Sequence, residues 1–184
     1  EGLEGMKVSV FDANASAVSS STILIDNTGS AATASSFTGT TGVNNFTGGD
    51  GDDSFDFSTA GSFQDIDNID GGAGTDTAVI NYTASGSLKP SIENVENVTI
   101  TNTAAATNDL VINAVDTAAG YNIITNLSST GGLTLNNLNA LPTKFVMNNS
   151  GDDMLLDFQA DAVAGTADNL LVDITGTGLA TTLE

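Results

Sequence analysis

The chain contains two nine-residue segments, GGDGDDSFD (48–56) and GGAGTDTAV (71–79), that share the pattern G-G-x-G-x-D-x-U-x, where U is apolar. A looser copy, GTTGVNNFT (39–47), precedes the first segment in the same frame. Phenylalanines keep this nine-residue spacing along the same part of the chain: Phe37, Phe46 and Phe55. A unit of this length has room for one turn and one short strand, so it buries its apolar residue only by stacking on its neighbours. The repeat therefore predicts an all-β chain that forms an elongated parallel β-solenoid, or β-roll.

The same repeat supplies the ligands that calcium prefers. Glycine reaches positive φ, so each loop can turn its main-chain carbonyls toward one point. The sixth position adds a carboxylate, which is Asp53 in the first loop and Asp76 in the second. Calcium takes about six to eight oxygen ligands, so one loop offers half a shell and a second, stacked loop completes it. The predicted Ca2+ ligands are Gly48, Gly49, Asp50, Gly51, Asp52 and Asp53 in the first loop, and Gly71, Gly72, Ala73, Gly74 and Asp76 in the second.

The spacing of the two loops predicts how they stack. Two nonapeptides make one coil, so equivalent loops of a regular roll lie twice nine residues apart. Gly48 and Gly71 are 23 residues apart, and we assign the five extra residues to STAGS (58–62). Loop 48–53 is therefore predicted to stack on loop 71–76, with STAGS bulging outward.

The turn opposite these loops is also acidic. Asp67 and Asp70 are predicted to form a second calcium site with the loop that contains Asn44, although an amide is a weaker ligand than a carboxylate. An EF-hand fits this region less well, because Ile69 occupies a position that needs an oxygen ligand and the closing Glu is absent. Acidic glycine-rich runs are often solvated loops, and the second in-frame repeat is what favours metal binding here.

Beyond the nonapeptides, short apolar clusters recur at steps of 11 or 12 residues. They are VTI (98–100), LVI (110–112), NII (122–124), LTL (133–135) and FVM (145–147). Each cluster is too short for a helix and lies between polar residues, so the pattern fits the strands of a solenoid or a sandwich. The segment 157–169 is predicted to hold one helical turn. Asp152, Asp153 and Asp168 are interpreted as turn formers rather than metal ligands.

The N-terminal part predicts two further strands, one with Val8 and Val10 alternating and one at 21–26. The start and the end of the chain suggest a fragment of a longer protein. We divide the chain into leading strands (1–36), a calcium-binding block (37–80) and a strand ladder (81–184), which together are expected to form one continuous elongated unit.

Composition narrows the possible functions. Three Lys, no Arg and 23 Asp plus Glu give a net charge of −20, so neither nucleic acid nor an anionic membrane surface is an expected partner. No apolar run is long enough to insert into a membrane. The absence of His and Cys excludes His-dependent triads, thiol chemistry and His-ligated zinc, and we expect no enzymatic activity. A divalent cation is the natural counter-charge for such a chain.

The nonapeptides resemble the repeats-in-toxin (RTX) motifs of proteins that bacteria export by type I secretion. The segment NYTASGSLKPSIENVENVTITNT (81–103) is similar to the segment that follows such repeats in surface-layer and giant surface proteins of Gram-negative bacteria. The resemblance extends over about residues 30–135, and the nonapeptides are its specific part.

This resemblance implies a secreted, calcium-dependent building block of a bacterial surface layer that self-associates into a lattice. Such a protein would be exported unfolded, where calcium is scarce, and would fold at the cell surface. The alternative is a calcium-stapled module of a type I-secreted adhesin that binds surface polysaccharide or host glycans. A lattice protein should self-associate when calcium is present, whereas a glycan-binding module should stay monomeric with a saturable sugar site.

Overall fold

The computed structural model describes residues 7–11, 17–22, 32–84, 86–105, 110–113, 121–165 and 169–176. The chain divides into two compact units, Glu1–Ala31 and Ala32–Glu184. In the first unit, β1 (Lys7–Phe11) and β2 (Ala17–Thr22) form an antiparallel pair. The strand predicted around Val8 and Val10 is confirmed. The second strand begins before the predicted range 21–26, of which residues 23–26 lie outside the described residues.

The described part of the second unit contains fourteen strands. They are β3 (Ser36–Thr38), β4 (Asn45–Gly49), β5 (Ser54–Phe57), β6 (Asn68–Gly72), β7 (Thr77–Tyr82), β8 (Gly86–Leu88), β9 (Ser91–Glu93), β10 (Asn97–Asn102), β11 (Leu110–Asn113), β12 (Ile123–Leu127), β13 (Leu133–Leu138), β14 (Lys144–Asn148), β15 (Met154–Phe158) and β16 (Leu171–Thr175). Among these residues the one helix is a 3-10 turn, Ala160–Val163, which lies within the segment predicted to hold a helical turn. No helix in the described ranges has the length and apolarity needed to cross a bilayer.

These strands form three parallel sheets. The seven-stranded sheet has the order β3-β5-β7-β10-β12-β14-β16, the three-stranded sheet β4-β6-β9 and the four-stranded sheet β8-β11-β13-β15. Strands that are neighbours in a sheet lie about one coil apart in sequence, so the chain winds around a shared core. The second unit is therefore a parallel β-solenoid, which confirms the predicted fold class.

The apolar clusters at 11- or 12-residue steps alternate between two sheets. Clusters 98–100, 122–124 and 145–147 lie in the seven-stranded sheet, and clusters 110–112 and 133–135 lie in the four-stranded sheet. Two steps therefore make one coil. The parallel pairing of β10 with β12 and of β11 with β13 selects the solenoid over the sandwich.

The core consists of columns of inward-facing side chains that run from coil to coil. One column of the seven-stranded sheet contains Phe37, Phe55, Ala78, Val98, Ile124, Phe145 and Val172. The rings of Phe37 and Phe55 stack with centroids 5.0 Å apart, and Phe46 stacks on Phe37 at 5.2 Å from the opposite side of the core. The nine-residue phenylalanine spacing thus places alternate rings on the two sides of one aromatic stack.

Coil length varies although the register of each sheet is regular. In the seven-stranded sheet the paired residues are 18 positions apart between β3 and β5 and 27 apart between β14 and β16, as in the pairs Ser36–Ser54 and Lys144–Leu171. Extra residues leave the coil in loops and return to the same column. The site described next depends on one such excursion.

Candidate metal centre

The two nonapeptide loops stack on successive coils. Gly49 pairs with Gly72 between β4 and β6, and Ser54 pairs with Thr77 between β5 and β7, so the register on both sides of the loops is 23 residues. The amide of Ala73 donates to the carbonyl of Gly49 at 2.8 Å. The predicted stacking of loop 48–53 on loop 71–76 is confirmed.

The exposed bulge of this longer coil ends one residue earlier than predicted. Residues 58–61 are exposed, whereas Ser62 is buried. The Ser62 hydroxyl donates to the carbonyl of Thr59 at 2.7 Å, and its own carbonyl accepts from Asn44 Nδ2 at 3.0 Å. Ser62 therefore belongs to the coil, and the bulge ends at Gly61.

Three carboxylates lie one above the other at the corner that precedes the seven-stranded sheet. We call Asp53, Asp76 and Glu96 the carboxylate ladder. Asp53 Oδ1 accepts the amide of Ser35 at 2.6 Å, Asp76 Oδ1 accepts the amide of Asp53 at 2.6 Å, and Glu96 Oε2 accepts the amide of Asp76 at 2.7 Å. Each carboxylate thus accepts a main-chain N–H from the preceding coil.

The second oxygens of the two aspartates differ. Asp53 Oδ2 accepts the amide of Gly49 at 2.7 Å, whereas Asp76 Oδ2 is buried without a hydrogen-bond partner. Burial raises the pKa of Asp76; the amide of Asp53 opposes this shift, and the carboxylates of Glu96, Asp53 and Asp52 add to it. A buried anion without compensation is costly, so Asp76 Oδ2 is the atom of this corner that most needs a positive partner.

Two glycines leave room for oxygen atoms of neighbouring coils. A Cβ on Gly48 would stand 2.0 Å from the carbonyl oxygen of Gly71 and 2.1 Å from Asp53 Oδ2. A Cβ on Gly71 would stand 2.0 Å from the carbonyl oxygen of Asn94 and 2.4 Å from Asp76 Oδ2. We call these the first and the second oxygen pair. Each pair brings one carboxylate oxygen beside one carbonyl oxygen of the next coil.

The other predicted ligands of the two loops surround these pairs. Gly72 and Gly74 have φ of 91° and 137°, which L side chains rarely adopt, and they approach the carbonyls of Gly49 and Gly51. Asp52 is exposed and its Oδ1 accepts the amide of Thr75 at 2.8 Å. Two further predicted ligands, Asp50 and Ala73, are exposed. The structure thus brings together the glycines and the sixth-position aspartates, and leaves Asp50 and Asp52 at the surface.

The second predicted site is held together by the chain's own hydrogen bonds. Asp67 is buried; its Oδ1 accepts the amide of Asn44 at 2.9 Å and Asn44 Nδ2 at 3.1 Å, and its Oδ2 accepts the amide of Gln64 at 2.7 Å. Asp70 Oδ1 accepts the amide of Gly72 and Asn94 Nδ2. Asn44 therefore donates hydrogen bonds to Asp67. Asp70 does not share these partners, because it accepts from Gly72 and Asn94 instead.

The acidic turn near the C-terminal side matches its interpretation as a turn former. Asp152 Oδ1 accepts the amide of Asp153 at 2.8 Å, and the Asp153 carbonyl accepts the amide of Leu133 at 3.1 Å. Asp168 lies outside the described residues.

Two residues of this corner, Asn94 and Glu96, lie outside the nonapeptides and were not predicted. Asn94 provides the carbonyl of the second oxygen pair, and Glu96 is the third carboxylate of the ladder. Asn94 has a φ of 52°, so it takes the left-handed conformation that glycine takes in the repeats. No constant register would have found Glu96, because it follows Asp76 by 20 residues whereas Asp76 follows Asp53 by 23.

The donor set fits a hard cation that accepts main-chain oxygens. Within the described ranges, no three His, Cys, Asp or Glu side chains form a group that could hold a metal ion. A cation at either oxygen pair would therefore depend on carbonyls together with carboxylates, which is the mixture that calcium accepts. The orphaned Asp76 Oδ2 and the close approach of carboxylate and carbonyl oxygens at Gly48 and Gly71 are the observations that support this fit.

Comparisons of the chain with protein-family models, with curated proteins and with solved structures found no match.

Proposed function

We propose that the chain is a structural building block of a bacterial surface layer, whose folding and self-assembly depend on calcium. The observation that carries the calcium part is the stacking of the two nonapeptide loops, which brings Asp53 Oδ2 beside the carbonyl of Gly71. Both glycine loops would hold the ion through main-chain carbonyls, with Asp53 and Asp76 as the carboxylate ligands. Bound calcium would supply the positive charge that offsets these buried carboxylates.

The self-assembly part is supported by the end of the seven-stranded sheet. β16 is the last strand, and no strand within the described residues pairs with its outer edge. Ile174 is 45% exposed, although Met147, its partner in the same core column, is 2% exposed. An open edge with apolar side chains invites another strand, and in this sheet that strand would be parallel.

The surface-layer part depends on the resemblance of the nonapeptides and of segment 81–103 to RTX-type surface proteins. The chemistry of the chain agrees with that role. A net charge of −20 disfavours nucleic acid and gives unfolded chains strong self-repulsion until a cation is bound. The absence of His and Cys leaves few routes to catalysis.

A calcium titration followed by circular dichroism and light scattering tests the proposal, with magnesium as the control. We expect β-sheet ellipticity and the thermal midpoint to rise with calcium and not with magnesium, and particles to grow at the same calcium concentrations. Folding without particle growth would refute self-assembly and leave a calcium-stapled module. No response at millimolar calcium would refute the whole proposal.

A second candidate function is glycan binding by an adhesin module. A surface cavity of about 270 Å³ is lined by Phe63, Tyr82 and Leu88 together with the polar residues Gln64, Asp65 and Thr83. An aromatic wall beside hydrogen-bonding groups suits a sugar ring. Saturable binding of a neutral monosaccharide in calorimetry, abolished by Tyr82→Ala and retained in Tyr121→Ala, would favour this candidate over the lattice.

A further inference from the structure

The turn 94–96 occupies the coil position that follows loop 71–76. Asp70 pairs with Glu93 before the turn and Thr77 pairs with Asn97 after it, so the six residues 71–76 and the three residues 94–96 connect the same two sheets. The turn contains no glycine and does not match the nonapeptide pattern. It nevertheless lies over loop 71–76 as that loop lies over loop 48–53.

This turn reproduces the features of a nonapeptide loop with other residues. Asn94, with a φ of 52°, directs its carbonyl oxygen to the point above Gly71 where Asp76 Oδ2 also lies. Glu96 takes the ladder position that Asp53 and Asp76 hold in the earlier coils, and its Oε2 accepts the amide of Asp76 at 2.7 Å. The corner therefore has a carbonyl, an orphaned carboxylate oxygen and a further carboxylate.

The two oxygen pairs are not equivalent. In the first pair, the amide of Gly49 donates to Asp53 Oδ2 at 2.7 Å and partly compensates its charge. In the second pair, Asp76 Oδ2 is fully buried and has no donor. A bound cation would therefore compensate more uncompensated charge at the second oxygen pair than at the first.

We propose that turn 94–96 completes a calcium site with loop 71–76, which we call the turn site. Its ligands include Asp76 Oδ2, the Asn94 carbonyl and the Glu96 carboxylate. The inference rests on the proposed calcium dependence and extends it beyond the nonapeptides. The site joins the calcium-binding block to the strand ladder, so calcium here fixes the first coil that lacks the repeat. This site should bind calcium more tightly than the one between the two nonapeptide loops.

The test compares Glu96→Gln with Glu93→Gln by calcium calorimetry on the whole chain. The amide side chain of the Glu96→Gln variant keeps an oxygen that accepts the amide of Asp76, so the substitution removes the charge and spares that hydrogen bond. Glu93 lies three residues away, and Glu93→Gln removes one carboxylate from the same region as a matched control. We expect Glu96→Gln to weaken the tightest calcium site at least tenfold, and Glu93→Gln to change its affinity less than twofold.

The outcomes separate this inference from the proposed function. If both variants bind calcium like the wild type while wild-type folding responds to calcium, the turn site is refuted and the proposed function stands. If the wild type binds no calcium, both fail. If Glu96→Gln is unfolded without calcium, we measure the calcium concentration at its folding midpoint instead of the heat of binding. A midpoint equal to that of Glu93→Gln refutes the turn site.

Discussion

At the scale of single residues, the aspartate at the sixth position of the repeat has different electrostatic surroundings in the two loops. Asp53 and Asp76 occupy the sixth position of their repeats, and both are buried. Both oxygens of Asp53 accept main-chain amides, whereas Asp76 has one satisfied oxygen and one orphaned oxygen. The sequence pattern predicts equal ligands, but their neighbours on adjacent coils make them unequal.

Replacing each aspartate by asparagine should therefore have opposite effects when calcium is chelated. Asp76→Asn keeps the acceptor for Asp53 N–H and places an amide donor beside the Asn94 carbonyl, so we expect stabilisation of about 1 kcal/mol. Asp53→Asn places an amide donor against a main-chain N–H and should destabilise by about 1–3 kcal/mol. Urea unfolding in EDTA measures both changes, and changes of the same sign would contradict this account. In calcium, both variants should be less stable than the wild type.

The glycines of the first loop also differ although the pattern treats them alike. A Cβ on Gly48 would meet the carbonyl of Gly71 at 2.0 Å, whereas a Cβ on Gly49 would have no heavy atom within 4 Å. Gly48→Ala should abolish the stacking of the loops and lower the free energy of unfolding by at least about 3 kcal/mol, which is among the larger costs of a point substitution. Gly49→Ala is the matched control and should change it by less than about 1 kcal/mol. Thermal unfolding in saturating calcium compares the two, and equal effects would argue against close packing at Gly48.

At the scale of strands and turns, the sequence predicts the strands that recur at a regular spacing and misses the turn residues that do not. The nine-residue repeat and the steps of the apolar clusters locate most strands of the second unit, because each strand needs an inward apolar residue at a regular interval. For the apolar clusters beyond the nonapeptides, parallel pairing could not be derived, since a short apolar triplet fits a sandwich equally well. Asn94 and Glu96 were missed because coil length changes from coil to coil, so no fixed period predicts which residue lies above Asp76.

The outer edge of β16 carries a prediction about assembly. Ile174→Lys puts a charge into an apolar column at the outermost described strand of the sheet, and charges at a strand edge block edge-to-edge pairing. Val79→Lys is the matched control, because Val79 is 40% exposed against 45% for Ile174 but lies on a central strand of the same sheet. We expect Ile174→Lys to reduce calcium-dependent light scattering at least fivefold and to leave the calcium midpoint of folding unchanged. Equal scattering by both variants would place the contact elsewhere.

At the scale of the whole molecule, electrostatic repulsion opposes folding. The chain has 23 acidic residues and three lysines, and one lysine, Lys144, forms an ion pair with Asp173 at 2.8 Å. The carboxylates of the ladder, of which Asp53 and Asp76 are buried, add to this repulsion because they lie on successive coils. Under the proposed function, cations contribute to stability in two ways, by general screening and by binding at specific oxygens.

Sodium chloride should separate these two contributions. Screening acts over a Debye length of about 10 Å at 0.1 M salt, so raising NaCl to about 0.5 M in EDTA should increase the thermal midpoint by roughly 5 °C. In saturating calcium the same addition should have less than about half of this effect, because the closest carboxylates are already compensated. Differential scanning calorimetry measures both midpoints. A sodium chloride effect as large with calcium as without it would indicate diffuse neutralisation instead of built sites.

The carboxylate ladder gives the second unit a direction. The amide of Ser35 is accepted by Asp53, that of Asp53 by Asp76 and that of Asp76 by Glu96, at separations of 18, 23 and 20 residues. Along the ladder, an amide of each coil thus finds its acceptor only on the next coil. Loss of a coil from the C-terminal side leaves a buried amide without its acceptor, whereas loss from the N-terminal side leaves carboxylate oxygens that water solvates readily. Along residues 35–96, therefore, the coils depend on one another in one direction only, each on the carboxylate that the next coil supplies.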